Sequence, residues 1–262
     1  MIRRPYAALL GITLAAAVVA VSCGEVPTLA DGIAYITPVE LPSPAVAAGD
    51  MLRDSLGRPA PLRVRAFDRD SQEITGLTVT FVPTALPSDV TIDADGYLAA
   101  RDTLRSVQLV GRIGDRLQTP PATLLIVPQP LSISRPAGAD AGDTAVVLPA
   151  LRALPVTVSG EYRGASTPVN GIIVRYRIDS LLPAGVPRGS AVLLNASGVT
   201  SRPDSTIAVD TTKNTGNATR TVVVPAGSGV RKVFISASAR RLDGPPLRGS
   251  PVGFVLELKQ QP

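Results

Sequence analysis

Histidine and tryptophan are absent from this 262-residue chain, and cysteine occurs only once, at Cys23. Histidine is the commonest general acid or base at neutral pH, so its absence excludes Ser-His-Asp and Cys-His catalytic arrangements. Zinc and copper sites usually take His or Cys ligands, which leaves open only a metal site built from oxygen atoms. Paired carboxylates can hydrolyse glycosides, but sugar clefts generally stack aromatic rings on the substrate, and aromatic residues make up only 3% of this chain. The composition therefore predicts a protein that is not an enzyme and needs no cofactor.

A strong charge of either sign is also lacking. The chain has 26 Lys and Arg against 21 Asp and Glu, and residues 23–262 alone carry a net charge of about +3. No run of like charge and no aromatic stacking platform is present, so we expect no binding to nucleic acid. A single cysteine cannot form a disulfide within the chain, so stability must come from burial, which an apolar content of 45% permits.

The first 22 residues have the layout of a secretory signal peptide. Arg3 and Arg4 precede an unbroken run of small and apolar residues over 7–21. The stretch "AVSC", which ends at Cys23, resembles the lipobox of bacterial lipoproteins. The resemblance implies cleavage after residue 22, acylation of the Cys23 thiol and a lipid anchor in the membrane. Gly24 in place of Asp favours the outer membrane by the same resemblance.

Two alternatives for this segment stay open. An ordinary signal peptidase would cleave near Ser22 and leave Cys23 as an incidental residue. An uncleaved membrane anchor is the other, although a spanning helix needs about 20 apolar residues and this run is shorter and rich in alanine.

The remainder of the chain has the pattern of short β-strands. Its 25 prolines and 23 glycines interrupt the sequence every few residues and leave no room for a long amphipathic helix. Between them, apolar and polar residues alternate, as in "LRVRAFD" from Leu62, "LTVTFV" from Leu77, "IIVRYRI" from Ile172, "KVFISASA" from Lys232 and "VGFVLEL" from Val252. Such alternation is typical of antiparallel sheets with one solvated face, and many such strands predict a β-sandwich.

The pattern repeats once along the chain. "ITGLTVTF" from Ile74 matches "VNGIIVRY" from Val169, and "PLRVRA" from Pro61 matches "LPVTVS" from Leu154 in the same order. The prolines of "VPQP", residues 127–130, indicate a short linker between the copies.

Each copy resembles a bacterial immunoglobulin-like domain of the intimin and invasin type. The resemblance rests on "PLRVRAFD", the "G-x-x-V-x-F" strand, the "VTIDADGYLAA" hairpin and the later strands "SVQLVGR" and "TLLIV", and it covers nearly all of the chain after residue 34. It implies an all-β fold of two tandem immunoglobulin-like β-sandwiches behind an N-terminal lipoprotein signal peptide. The predicted organisation is a signal peptide at 1–22, a tether at 23–34, one sandwich at 35–128 and a second at 131–260 with a long loop near 180–210.

Carboxylates give weak candidates for a metal site. Asp93, Asp95 and Gly96 begin like a calcium loop, but position 12 of that loop is Leu104 rather than Glu, so the stretch predicts a hairpin turn. A calcium site between the two domains is a separate hypothesis, with Asp68 and Asp70 or Asp140 and Asp143 as candidate ligands.

Three functions agree with these observations. The first is a structural or adhesive module on the cell surface that contacts a protein partner through the 180–210 loop or through a free sheet edge, which can accept a partner strand. The second is a periplasm-facing subunit of a secretion or assembly complex. The third is a glycan or small-ligand binder, which the scarcity of aromatic residues disfavours. In each case the expected location is the bacterial cell envelope, with the membrane contacted through lipid on Cys23.

Overall fold

The computed structural model describes residues 32–84, 87–114, 116–136, 146–195 and 205–259. Cys23 with its apolar run, Asp140 and Asp143 lie outside these ranges. Within them the chain forms twenty β-strands and two short 3-10 helices, at Pro87–Asp89 and Arg188–Ser190, so the fold is all-β as the sequence predicted. No helix of the described ranges is long and apolar enough to cross a membrane.

The strands fall into two sets along the chain. The first set is β1 (Tyr35–Ile36), β2 (Ala45–Ala47), β3 (Ala66–Phe67), β4 (Glu73–Ile74), β5 (Val79–Pro83), β6 (Val90–Ile92), β7 (Leu98–Ala100), β8 (Arg105–Ile113), β9 (Leu117–Gln118) and β10 (Ala122–Val127). The second set is β11 (Gln129–Ser134), β12 (Val146–Val147), β13 (Ala150–Tyr162), β14 (Ala165–Pro168), β15 (Ile173–Leu182), β16 (Val192–Leu193), β17 (Ile207–Thr211), β18 (Asn217–Val224), β19 (Lys232–Ala239) and β20 (Val252–Lys259).

A small compact unit consists of residues 32–37 and 64–77. Its strands β1, β3 and β4 form a three-stranded antiparallel sheet. The rings of Tyr35 and Phe67 stack at 4.8 Å between centroids, and the Arg65 guanidinium lies 5.9 Å from the Phe67 ring centre. Stacked rings and a cation over a ring face stabilise such a small sheet.

The second compact unit, Pro38–Arg63 and Thr78–Pro262, contains the larger sheets. One sheet has the order β2-β10-β8-β5, and another has the order β12-β20-β19-β15-β17. In both, the first pair is parallel and the next pairs are antiparallel. The sequence repeat aligns β5 with β15, and each of these is the fourth strand of its sheet order, so the common order agrees with that repeat.

Strands β11-β13-β18-β16 form the sheet that faces β12-β20-β19-β15-β17. One buried cluster joins the two sheets, with Tyr176 and Ile235 contributed by one and Val156 and Val222 by the other. An immunoglobulin-like sandwich has one sheet with the strand order A-B-E-D and a facing sheet with the order C-F-G. The order β11-β13-β18-β16 corresponds to A-B-E-D, and β15-β19-β20 corresponds to C-F-G. The predicted fold class is confirmed.

The predicted alternation is confirmed most clearly in β15, β19 and β20. Val174, Tyr176 and Ile178 are buried, whereas Arg175 and Arg177 between them are exposed. In β19 and β20 every second residue is likewise buried.

The two strand sets meet with almost no linker. β10 ends at Val127 and β11 begins at Gln129, so the segment 127–130, which the sequence indicated as a linker, lies mostly in strand. No sheet of the described residues contains strands from both sets. However, Ala45 and Val127 belong to the same buried cluster as the core of the second set. The domain limits at 35–128 and 131–260 stay a prediction.

The hairpin predicted at Asp93 joins β6 to β7. The Gly96 N–H donates to the Asp93 carbonyl at 3.1 Å, and Asp93 Oδ1 accepts the N–H groups of Asp95 and Tyr97 at 3.0 and 2.8 Å. Gly96 has φ 87°, a left-handed conformation that favours glycine.

In this turn the Asp93 N–H also donates to the Tyr97 carbonyl, and four other turns have the same two bonds, from the fourth N–H to the first carbonyl and from the first N–H to the fifth carbonyl. Three carry glycine at the left-handed position, namely Gly57, Gly216 and Gly244, and the fourth carries Ser71 with φ 60°. Among the described residues, Ser71 is therefore the one residue other than glycine at the left-handed position of this turn type.

Candidate functional site

The carboxylates singled out from the sequence have mainly structural contacts where the structure describes them. Asp68 Oδ1 accepts the N–H groups of Asp70 and Gln72 at 2.9 and 2.8 Å and so closes the turn between β3 and β4. Among the described residues, no group of three or more His, Cys, Asp or Glu side chains is placed to hold a metal ion. Because Asp140 and Asp143 lie outside the described ranges, the calcium site stays a prediction.

A groove of about 770 Å³ lies on the outward face of β15, β17 and β19. The residues 54–56 of the turn after β2 and the segments around 240–246 and 250–251 form its walls. We call this surface the sheet groove. Its floor is formed by the antiparallel pairing of β15 with β17 and with β19, and the β15–β19 register shifts between Ile178 and Ser180.

The sheet groove concentrates exposed aliphatic side chains. β17 alternates so that Ala208 and Asp210 point inward, which leaves Ile207 and Val209 on the outer face with exposures of 40% and 50%. Ile173 of β15 is 43% exposed, and Leu56 at the turn is 62% exposed. All four side chains line the groove. Scattered apolar residues on a surface are normal, but a contiguous apolar patch in a concavity indicates an interaction site.

This aliphatic patch was not predicted from the sequence. Residues 207–210 belong to the segment 180–210, which was predicted as a long loop. In the structure β15 extends to Leu182, and the range also contains β16 and most of β17, while 196–204 lie outside the described residues. The alternation in "IAVDT" was a signal for β17 that the sequence analysis did not use.

Arginines flank the aliphatic patch. Arg175 and Arg177 of β15 pair across the strands with Val209 and Ile207. Arg177 Nε lies 2.7 Å from Asp179 Oδ1, so the charge of Arg177 is compensated.

Two other arginines form the groove wall near residue 240. Arg241 forms two hydrogen bonds of 2.9 Å with the Asp243 carboxylate and is compensated as well. Arg240 donates to the Gly244 carbonyl at 3.0 Å. Neither Arg240 nor Arg175 has a carboxylate partner in the part of the chain that the structure describes. The groove therefore carries uncompensated positive charge.

A buried ion pair holds β17 in place behind the groove. Arg220 Nη1 of β18 lies 3.0 Å from Asp210 Oδ1, and the two side chains are only 8% and 13% exposed. Asp210 Oδ2 also accepts the Thr219 N–H at 2.7 Å. Arg220 Nε donates to the Val209 carbonyl at 2.9 Å, and Nη2 of the same guanidinium donates to that carbonyl too. These contacts join the edge strand of one sheet to β18 of the facing sheet.

The Tyr176 hydroxyl is buried behind the same strand and has no hydrogen-bond partner among the described residues. Burial raises the pKa of Tyr176, the charge of Asp210 raises it further, and Arg220 opposes this shift. The phenol is therefore neutral at physiological pH and acts as part of the core.

The outer edge of β17 is partly closed. The carbonyl groups of Ile207 and Val209 point away from β15. Both accept hydrogen bonds from side chains, because Ser205 Oγ donates to the Ile207 carbonyl at 3.0 Å and Arg220 Nε donates to the Val209 carbonyl. Native sheets commonly protect their edges in this way against the addition of another strand. The contact surface expected from the sequence was a free sheet edge or the 180–210 loop. At β17 the outer face is more accessible than the edge.

The turns that contain Gly57 and Gly244 pack against each other at the wall of the groove. A Cβ built on Gly57 would lie 2.4 Å from the Asp243 backbone, and one on Gly244 would lie 2.8 Å from the Leu56 carbonyl oxygen. Only glycine allows backbones to approach so closely. The turn that carries Leu56 is thereby held beside the segment that carries Arg240 and Arg241.

The fold and the groove define an immunoglobulin-like β-sandwich protein with an aliphatic and cationic groove on one sheet face. No protein-family model and no curated protein sequence matches the chain. Among solved structures, the chain is similar to the adhesin InvE of Yersinia pseudotuberculosis, with 17% identity over 87% of this chain and 61% of that chain and a TM-score of 0.31. It is similar to domains 4 and 5 of the S-layer protein SbsC, with 15% identity over 86% of this chain and 98% of that chain and a TM-score of 0.30. It is also similar to the D00-D0 domains of intimin, with 14% identity over 86% of this chain and 100% of that chain and a TM-score of 0.25.

Proposed function

We propose that this protein is a non-enzymatic lipoprotein of the bacterial cell envelope, a structural or adhesive immunoglobulin-like module that contacts a protein partner through the sheet groove. The observation that carries the proposal is the groove itself. Four exposed aliphatic side chains line the groove, together with Arg175 and Arg240, which have no carboxylate partner among the described residues. A patch of this kind has the composition of a protein contact, with an apolar centre and arginine beside it.

Anchoring belongs to the same proposal. The lipobox-like "AVSC" supports acylation of Cys23, and the short segment 23–34 would serve as the tether. An acyl anchor holds the sandwiches close to a membrane without a spanning helix. We place the protein at the outer membrane, with the cell surface preferred over the periplasmic face.

Protease treatment of intact cells tests the location, with an epitope tag after residue 262 as the reporter. We expect the epitope to be lost from intact cells, and we expect the Cys23→Ala variant to leave the membrane fraction. Protection of the epitope until the outer membrane is opened would instead favour the periplasm-facing subunit. Retention of Cys23→Ala in the membrane fraction would contradict the lipid anchor.

A photo-cross-linking amino acid at position 209 tests the protein contact. Val209 lies in the groove, whereas Leu151 is 68% exposed on β13 of the facing sheet and serves as the matched control position. We expect a discrete adduct with another protein from position 209 and none from position 151. Equal labelling from both positions would contradict a specific contact at the groove.

A further inference from the structure

We propose that the occupant of the sheet groove is an extended, acidic peptide segment with aliphatic side chains, which lies across the face of β15 and β17 and does not add a strand to the β17 edge. This inference rests on the proposed function, because it specifies the chemistry of the partner at the same surface. Three features of the groove carry it: the chemistry of the apolar side chains, the balance of charge and the state of the sheet edge.

The apolar side chains of the groove select for peptide. Leu56, Ile173, Ile207 and Val209 are aliphatic, and no aromatic side chain lines the groove among the described residues. Aliphatic side chains of a partner gain by burial against such a surface, at about 25 cal/mol per Å². A sugar would need aromatic faces to stack on, and the groove has none to offer in the described part of the chain.

The charge of the groove selects for carboxylates. Among the described residues, Asp54 is the one acidic residue in the groove lining, and its carboxylate already contacts the Arg58 guanidinium at 3.0 Å and the N–H groups of Leu56 and Arg58. Arg175 and Arg240 have no carboxylate partner among the described residues. Guanidinium groups bind carboxylates with charge-assisted hydrogen bonds, and complementary charge also fixes the direction of approach.

The edge of the sheet disfavours the alternative mode of peptide binding. Strand addition to β17 would need the carbonyl groups of Ile207 and Val209, which Ser205 and Arg220 already occupy. Displacing Arg220 would also break its buried ion pair with Asp210. A partner therefore gains more by lying on the exposed side chains of the face than by competing for the edge.

Selection from a random-peptide display library tests the proposal, with the chain from residue 23 as the immobilised target. We expect the selected peptides to be enriched in Asp and Glu together with Leu, Ile and Val. The best peptide is then measured by fluorescence anisotropy against the wild-type chain, Arg175→Glu, Arg240→Glu and Val209→Ser. Each substitution should weaken binding by about tenfold or more. Methyl NMR should show shifts at Ile173, Ile207 and Val209.

Matched controls separate a groove effect from a general loss of charge or apolar surface. Arg112→Glu places the same charge reversal on an exposed residue of β8, and Leu151→Ser removes an exposed aliphatic side chain from the facing sheet. Both should bind as the wild type does. Circular dichroism of each variant checks that the fold is retained.

Several outcomes would overturn the proposal. They are enrichment of basic or aromatic peptides, no enrichment over an empty support, or binding that the groove variants and the control variants change equally. Chemical-shift changes confined to the methyl groups of β16 or to the backbone amides of β17, with no change at the groove methyl groups, would favour edge binding instead. If position 209 forms a cross-link in cells but acidic peptides do not bind the groove, the proposed chemistry of the occupant is refuted. The proposed function then still stands. Absence of both the cross-link and the binding of acidic peptides would refute the proposed function and the chemistry of the occupant together.

Discussion

Removing one partner of the buried Arg220–Asp210 ion pair should cost far more stability than removing one partner of the shorter but exposed Arg177–Asp179 pair. The N–O distances are 3.0 and 2.7 Å, so distance alone ranks the second pair higher. Burial reverses this order. Arg220 and Asp210 are 8% and 13% exposed, whereas Arg177 and Asp179 are 62% and 32% exposed and are screened by water.

Replacement of Arg220 by alanine leaves the Asp210 carboxylate buried without its counter-charge and removes two hydrogen bonds to the Val209 carbonyl. Breaking a buried pair in this way costs about 3–5 kcal/mol. Arg177→Ala should cost at most about 1 kcal/mol. With a urea dependence of about 1–3 kcal/mol per M, Arg220→Ala should lower the midpoint of urea unfolding by about 1–5 M.

Urea unfolding of the chain from residue 23, followed by far-ultraviolet circular dichroism, measures both variants. The double replacement Arg220→Met with Asp210→Leu is the decisive companion, because it removes the pair without leaving a lone charge. It should recover at least half of the loss that Arg220→Ala causes. Equal effects of Arg220→Ala and Arg177→Ala, or a double variant as unstable as the single one, would refute the reasoning.

Three further predictions concern the turns and the core. Ser71→Gly should raise the free energy of unfolding by about 0.5 kcal/mol, because φ at this position is 60° and the equivalent turns carry glycine; a loss of stability in thermal unfolding would contradict this. Gly244→Ala should destabilise the fold by about 1–3 kcal/mol more than Gly229→Ala, because both glycines have positive φ but only a Cβ at Gly244 would lie 2.8 Å from the Leu56 carbonyl oxygen. Equal melting temperatures of the two variants would show that the Leu56 backbone moves aside at no cost. Tyr176→Phe should leave stability unchanged or raise it by about 1 kcal/mol, because it removes a buried hydroxyl that has no hydrogen-bond partner among the described residues; a loss of more than about 1 kcal/mol in urea unfolding would indicate a partner for that hydroxyl.

Much of the fold could be predicted from short-range pattern. The alternation in 172–178 places Val174 and Tyr176 in the core and Arg175 outside, because successive side chains of a strand point to opposite faces. The Asp-Gly turn at 95–96 follows in the same way, since glycine accepts a positive φ. These properties depend only on neighbouring residues along the chain.

The sheet groove could not be predicted in this manner. Its components come from residues 54–56, β15, β17, β19 and the segment around 240, which are far apart in sequence. β17 itself was assigned to a loop, because five residues with one exposed face give a weak pattern when the neighbouring segment is rich in Ser, Thr and Pro.

The sequence by itself determined the all-β class, the inward and outward faces of the long strands and the candidate lipid anchor, because each depends on local periodicity or on a short motif. Only the tertiary structure decided that Arg220 is buried against Asp210 and that the β17 edge is partly closed. It also decided that Arg175 and Arg240 lie beside an aliphatic patch with no carboxylate partner in the described part of the chain. The physical reason is that charge compensation and exposure depend on which strands become neighbours, and strand pairing over long sequence distances is not encoded in any single segment.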